Sequence, residues 1–211
     1  MAGQININKT APSNSTVNKA SENYIGSYYL ADAPQYYEPQ RSNTFTFYAT
    51  GINGMLDESG FGSAPIDATE EQVLELSVKA STVPHFNIDK LTINRGNSQM
   101  HFAGKPTFDD GQITVHDYIG AHTKEVLLAW QRKAYDVRTE KVGLAKDYKR
   151  DCYLLEHTPD FQLVRTWVLR GCWVSKISET NYDHDSADNR TMDVTIVYDK
   201  AYIDYSDVEE G

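Results

Sequence analysis

Alternation of apolar and polar residues runs through most of the chain, and this period of two is typical of β-strands with one buried face. The clearest case is 191–199, where Met192, Val194 and Ile196 share one face while Asp193 and Thr195 share the other. The same pattern predicts strands at 44–49, 71–80, 112–118, 151–157, 162–170 and 173–178.

Turn residues divide these strands. Arg95-Gly96-Asn97 predicts a hairpin turn inside 83–104, and Pro159-Asp160 predicts another between 151–157 and 162–170. Gly171 interrupts the following strand. Residues 51–70 contain four glycines and a proline, so we expect a long loop there.

One amphipathic helix is predicted at about 119–135, with Thr123, Leu127, Trp130 and Ala134 along one stripe. About eight strands and one helix indicate a mainly β fold. We expect two antiparallel sheets that form a sandwich or barrel, with the helix at its side.

Three regions follow from the pattern. Residues 1–40 form a polar arm that holds five of the fourteen tyrosines; it is either a solvated tail or an arm that orders against a neighbouring subunit. In the second case, the contact residues are Tyr28, Tyr29, Tyr36 and Tyr37. Residues 41–205 form the β domain, with 51–70 as a loop insertion, and 206–211 form an acidic tail.

Composition narrows the class of protein. The formal net charge is −10, which argues against tight binding to nucleic acid phosphates. The mean hydropathy is −0.56 and no apolar run is long enough for a membrane span, so no membrane insertion is expected. The first 16 residues have neither a basic head nor an apolar core, so no secretory signal is expected there. Cys152 and Cys172 are expected as free thiols, because Cys172 lies beyond the end of the predicted hairpin.

Motifs for catalysis or metal binding are absent from the sequence. It has no phosphate-binding glycine loop, no nucleophile elbow and no zinc spacing among its six histidines. His101 and His116 could approach each other across paired strands, but two histidines make a weak metal site. Asp109 and Asp110 are adjacent, so on a strand they point to opposite faces. Residues 183–188 lack the glycine and the distant glutamate of a calcium loop. We therefore expect no enzyme activity, metal or cofactor.

Two stretches together resemble the tail tube protein family of contractile-tailed bacteriophages. The first is FAGKPTFDDGQITVHDYIGAHTKEVLLAWQ at 102–131, and the second is LRGCWVSKISETNYDHDSADNRTMDVTIVYDKA at 169–201. KASTVP at 79–84 also matches the strand-to-loop junction of the family. In order, these segments cover most of 71–203.

The resemblance implies a structural virion protein. Family members have two packed antiparallel sheets with one helix at the side, a fold shared with the Hcp tube of type VI secretion systems. Six copies close a ring, and rings stack into a hollow tube that lies inside the tail sheath and meets baseplate and neck proteins at its ends. DNA passes through the lumen during ejection without specific binding. Assembly would take place in the host cytoplasm.

Surfaces of such a tube can be assigned as expectations. By resemblance, the axial contact between rings lies chiefly in 83–104, at Pro84, Asn87, Lys90, Arg95 and Asn97. The lumen should be polar and acidic, and its candidate residues are Glu75, Ser77, Asp193 and Thr195. Six copies at −10 carry −60 per ring, which would repel DNA phosphates.

Other functions stay open at this point. The arm and the loop at 51–70 exceed the family core, so the chain could be a baseplate or neck adaptor that caps the tube. It could also be a monomeric β-sandwich that binds carbohydrate through exposed Tyr and Trp, or an enzyme with scattered carboxylates. The assembly state distinguishes these readings.

Overall fold

The computed structural model describes residues 40–56, 68–180, 183–185 and 187–204 of the chain. The chain divides into a unit of residues 1–42 and a unit of residues 43–211. All the described strands and helices belong to the second unit. Its described strands are β1 (Phe45–Thr50), β2 (Val78–Ser81), β3 (Phe86–Arg95), β4 (Ser98–Phe108), β5 (Gly111–His116), β6 (Tyr135–Asp136), β7 (Lys141–Val142), β8 (Arg150–His157), β9 (Leu163–Glu179), β10 (Thr191–Val197) and β11 (Lys200–Asp204). The helices are α1 (Glu70–Ser77), α2 (Thr123–Ala134) and α3 (Ala145–Tyr148). The predicted mainly β, antiparallel fold is confirmed.

Strand β9 joins two sheets because it bends at Gly171. Before the bend, β9 pairs with β8 on one side and with β11 on the other; after it, β9 pairs with β10. β1 extends the first sheet beyond β8, and β5 and β2 extend the second beyond β10. Gly171 has φ +72°, and a Cβ there would lie 2.4 Å from the Asp199 carboxylate. The bend therefore requires glycine.

The core lies between the two sheets and under α1 and α2. It contains buried residues of β1, β5, β8, β9 and β10, together with Trp130 of α2. Ile52 and Leu56 are also fully buried in this core. The first residues of the segment predicted as a loop insertion are thus part of the interior.

Residues 70–77 form a helix, so the strand predicted at 71–80 is wrong there. Thr69 caps the helix: its hydroxyl accepts a hydrogen bond from the Gln72 amide, and the Gln72 side chain accepts one from the Thr69 amide. Val73 and Leu74 are buried, whereas Leu76, which the strand pattern placed beside Leu74, is 77% exposed. The capping signal outweighs the alternation because it satisfies amides at the start of the helix that have no partner within it.

Helix α2 confirms the predicted helix in a shorter form. His122 stands at its N-cap, and Val126, Leu127 and Trp130 are buried against the sheets. The Trp130 indole donates a 2.7 Å hydrogen bond to the Tyr148 carbonyl, which ties α2 to α3. Helices α1 and α3 were not predicted and are additional to α2.

Both cysteines are free thiols, buried in the core. The expectation that Cys172 lies beyond the hairpin is wrong, because Cys172 pairs with Arg150, the first residue of β8. Cys172 donates to the Leu169 carbonyl at 3.4 Å. Burial, and secondarily the hydrogen bond with Cys172, raises the pKa of the Cys152 thiol well above its usual value.

Candidate assembly surfaces

Strands β3 and β4 form a two-stranded hairpin that pairs with no other described strand. The turn at Gly96, with φ +61°, is the predicted one. At the base, the rings of Phe86 and Phe108 lie 5.6 Å apart, and Phe108 meets Tyr198 of the body at 6.2 Å. Every residue of β3 is exposed. The hairpin is therefore anchored at its base and open to solvent along its length.

The outer half of the hairpin has one apolar face. Leu91 pairs with Phe102, and Ile93 pairs with Met100, so the four side chains share a side. Their exposed fractions are 45–54%. On the other side, Thr92 pairs with His101, and their side chains join in a 3.2 Å hydrogen bond. An exposed apolar face of this kind marks a contact surface.

Most predicted axial residues lie on this hairpin. Lys90, Arg95 and Asn97 are exposed, and Asn87 donates a 3.1 Å hydrogen bond to the Asp109 carboxylate at the base. Pro84, in contrast, is buried and offers no surface for a neighbour. The prediction overlooked the apolar face, although Leu91, Ile93, Met100 and Phe102 flank the turn at a spacing of two.

Two of the predicted lumen residues belong to α1 and do not share a sheet face. Ser77 is fully buried, so its assignment to the lumen is wrong. Its hydroxyl donates to the Val73 carbonyl at 2.6 Å and lies 2.9 Å from the Thr123 hydroxyl. Glu75 is exposed on the helix surface.

Asp193 and Thr195 lie on the outward face of the second sheet. Asp193 accepts a 2.7 Å hydrogen bond from the Thr114 hydroxyl, and Thr195 pairs with Lys176. Residues on this polar face include Gln112, Thr114, Lys176, Ser178, Asp193 and Thr195. These six carry one carboxylate and one ammonium group, so this part of the face is hydrophilic and nearly neutral rather than acidic.

A groove of about 440 Å³ opens beside the end of α2. Leu128 of α2, Tyr135 and Val137 of the following ribbon and Trp173 of β9 line it. The ribbon is formed by β6 and β7, in which Tyr135 pairs with Val142. This surface was not predicted, because the residues that line it come from three separate segments of the sequence.

In the part of the chain that the structure describes, the residues considered for catalysis or metal binding are not brought together. His101 is on the hairpin, whereas His116 ends β5 and packs against Tyr118. Asp109 holds the base of the hairpin: its carboxylate lies 3.0 Å from Nε2 of His85 and accepts the hydrogen bond from Asn87. Asp183 accepts a hydrogen bond from the amide of Asp185, as in a polar turn. Within the described ranges, no group of three or more metal-ligating side chains is found, and no helix there is long and apolar enough to cross a membrane.

Comparison with known proteins identifies relatives of this fold. No family model matches the chain. It is 26% identical over 124 residues to tail tube protein gp19 of Enterobacteria phage T4, which covers 57% of this chain and 76% of that protein.

Solved structures share the fold. An anti-feeding prophage tube-terminating cap superposes with a TM-score of 0.56 at 11% identity, over 79% of this chain and 91% of the cap. A chain of the sheath–tube complex of the extracellular contractile injection system PVC superposes with a TM-score of 0.55 at 13% identity, over 82% of this chain and 98% of that chain. The chain is thus similar in sequence to a phage tail tube protein, and it shares the fold of tube and cap proteins from contractile systems.

Proposed function

We propose that this protein is the structural subunit of a contractile tail tube, with six copies in each ring and rings stacked around a channel. The match to a phage tail tube protein supports this role and does not point to an enzyme. The single observation in this chain that carries it is the hairpin of β3 and β4. Among the residues that the structure describes, no other segment of the subunit covers its apolar face.

The hairpin requires a neighbour for an energetic reason. A two-stranded ribbon in water is marginally stable by itself. Burying four large apolar side chains against another surface adds about 25 cal/mol for each Å² removed from water. The contact is proposed to lie between rings, with the apolar face at its centre and Lys90, Arg95 and Asn97 around it. Asn87 supports the base of the β3–β4 hairpin through its hydrogen bond to Asp109.

Ring closure uses different surfaces. β1 and β2 end the two sheets, and unpaired sheet edges bind readily to other strands. A head-to-tail contact between unlike edges closes into a ring when the rotation between copies permits it. The same contact repeated six times would cover the edges at β1 and β2.

The polar face with Asp193 and Thr195 is proposed to line the channel. It presents hydroxyls, an amide and one pair of opposite charges, so it offers no cluster of cations to hold a phosphate chain. The overall −60 of a hexameric ring adds long-range repulsion. DNA would therefore pass without specific binding.

Placement in the virion follows from this role. The tube is proposed to lie inside a sheath and to meet baseplate and neck proteins, after assembly in the host cytoplasm. The arm residues Tyr28, Tyr29, Tyr36 and Tyr37, which lie outside the described residues, are proposed to contact neighbouring subunits.

Electron microscopy of the purified full chain tests the proposal. Long hollow tubes with six-fold end views are expected. Single rings that do not stack would favour the adaptor at a tube end, and monodisperse monomers would favour a carbohydrate-binding module or an enzyme.

A further inference from the structure

The groove beside α2 carries the most exposed cluster of apolar side chains outside the hairpin. Val137 is 79% exposed and Val142 is 77% exposed, next to Tyr135 and Trp173. Trp173 is held from behind by Tyr148, whose ring meets it edge-on at 5.9 Å. This surface is not part of the axial contact or of the polar face.

The ribbon that forms one wall is locked in place. The Gly143 amide donates to the Ala134 carbonyl at 3.0 Å, and a Cβ at Gly143 would lie 1.9 Å from the Lys133 carbonyl oxygen. The Asp136 carboxylate accepts hydrogen bonds from the Arg132 side chain, at 3.1 Å, and from the Thr139 hydroxyl, at 2.8 Å. The apolar side chains are thus presented by a preorganised wall, which lowers the entropic cost of binding.

Charge distinguishes this region from the rest of the chain. Residues 132–150 contain seven basic and three acidic residues, a local balance of +4 in a chain of −10. Arg138 and Lys141 lie on the ribbon itself and are exposed, beside one exposed carboxylate, Glu140. The surface therefore suits a partner that is both apolar and acidic.

The N-terminal part of the chain contains a segment with that chemistry. Residues 22–38, ENYIGSYYLADAPQYYE, hold five tyrosines, Ile25 and Leu30. They also hold three carboxylates and no Lys or Arg. The acidic segment 206–211 has fewer apolar residues and no aromatic ring, so it fits less well.

We propose that the groove binds residues 22–38 of a second copy of this chain, with tyrosine rings against Trp173 and Val137 and carboxylates near Arg138 and Lys141. This contact rests on the proposed tube. Phe45, at the start of the body, pairs with Glu156 at the end of the sheet remote from the groove. The Arg150–Cys172 end lies near the groove. Docking onto the same copy would require residues 39–44 to run back along β1 for roughly 17 Å, which is nearly their full extended length. Docking onto another copy does not require this.

Photocrosslinking in assembled tubes tests this contact. The full chain carries p-benzoylphenylalanine in place of Tyr37, or in place of Asn14 as a control position. Equal amounts of ¹⁵N-labelled and unlabelled chains are mixed before assembly, so that mass spectrometry separates crosslinks between copies from crosslinks within one copy. Crosslinks between copies from position 37 to the peptides containing 128–142 or 173–175 are expected.

A matched pair of variants makes the test specific. Val137→Glu with Val142→Glu places one carboxylate in the groove lining and one opposite Tyr135 beside it, and should lower that crosslink at least roughly tenfold. Leu76→Glu with Ile119→Glu makes the same change at apolar positions elsewhere that are 77% and 97% exposed, and it should leave the crosslink unchanged.

Three results would overturn the proposal: crosslinks to another surface, crosslinks within one copy only, or equal crosslinking in the groove variant. Micrographs of the same samples distinguish a failure of the groove contact from a failure of the proposed tube. Rings with crosslinks elsewhere reject this contact alone, whereas absence of rings rejects the proposed tube and this contact with it.

Discussion

Ser77 and Thr123 illustrate how single polar residues become part of the interior. Their hydroxyls meet at 2.9 Å between α1 and α2, and Ser77 also reaches the Val73 carbonyl of its own helix. Both side chains are fully buried. Each hydroxyl is tolerated there because the other satisfies it.

Breaking this pair should be costly. Ser77→Ala should lower the free energy of unfolding by about 1–3 kcal/mol, because the Thr123 hydroxyl is left buried without this partner. Adding Thr123→Val should cost less than the sum of the two single changes. Urea unfolding measures all three variants. Ser81→Ala, at a less buried serine in β2, is the control and should stay within about 0.5 kcal/mol.

Glu179 links the second sheet to α2 through Lys124, at 2.8 Å, and it also pairs with Arg190. Lys124 first, and Arg190 after it, lower the pKa of Glu179 from its usual value of about 4.5. The folded state therefore prefers the ionised carboxylate.

The sign of the pH dependence follows from that shift. The stabilisation by Glu179 is present above about pH 4.5 and is lost as the pH falls through the lower pKa of the folded state. The difference in unfolding free energy between the natural chain and Glu179→Gln should thus shrink in acid. Unfolding titrations at several pH values measure it. About 1 M salt should reduce the difference at neutral pH, since exposed charges are screened, and a difference that grows in acid would contradict the assignment.

Among the elements, β9 decides how the two sheets meet. Its bend depends on Gly171, where the backbone is left-handed and the Asp199 carboxylate fills the space of a side chain. Gly96 in the hairpin turn has a similar φ but nothing within 4 Å of a Cβ.

These two glycines form a matched pair for mutation. Gly96→Ala should cost about 1–2 kcal/mol, the strain of a left-handed alanine. Gly171→Ala should cost more, because the new methyl group also displaces Asp199. Thermal or urea unfolding compares them, and equal losses would show that the Asp199 contact relaxes without cost.

The hairpin element can be tested through its two sides. Leu91→Glu with Phe102→Glu should prevent ring stacking while leaving ring closure and the circular dichroism of the subunit unchanged, because both side chains are exposed. Lys90→Glu with Arg95→Glu should weaken stacking less severely, as exposed charges contribute little. Electron microscopy and sedimentation measure both. Normal tubes from both variants would place the axial contact elsewhere.

The whole molecule presents several surfaces that no other described segment of the same copy covers. These include the hairpin face, the groove beside α2 and the edges at β1 and β2. They differ in chemistry: the first is apolar, the second is apolar with basic charge, and the third is the edge of a sheet. A subunit with several such surfaces favours assembly in more than one direction.

Self-association is therefore expected for the purified chain. Light scattering across a wide concentration range should show hexamers or larger species, since each buried apolar surface favours the assembled state. Raising salt should not dissolve the assemblies if apolar contacts dominate. A stable monomer at every concentration would argue strongly against a tube subunit.

Local patterns in the sequence were sufficient for much of the fold. Alternation identified β5, β8 and β10, because a half-buried strand imposes its period on the residues directly. The Arg95-Gly96-Asn97 turn was equally readable, since a positive φ there favours glycine. The order of two motifs also sufficed to indicate the tube family.

Other features depended on contacts between distant segments, which a local period does not contain. Residues 70–77 alternate like a strand, yet a cap at Thr69 and burial against α2 make them helical. Cys172 is internal only because β9 bends. The groove exists because Leu128, Val137 and Trp173 meet from three elements. The sequence by itself determined the β class and a resemblance to tail tube proteins, whereas tertiary packing decided which polar residues are buried and which apolar residues are left for a neighbour.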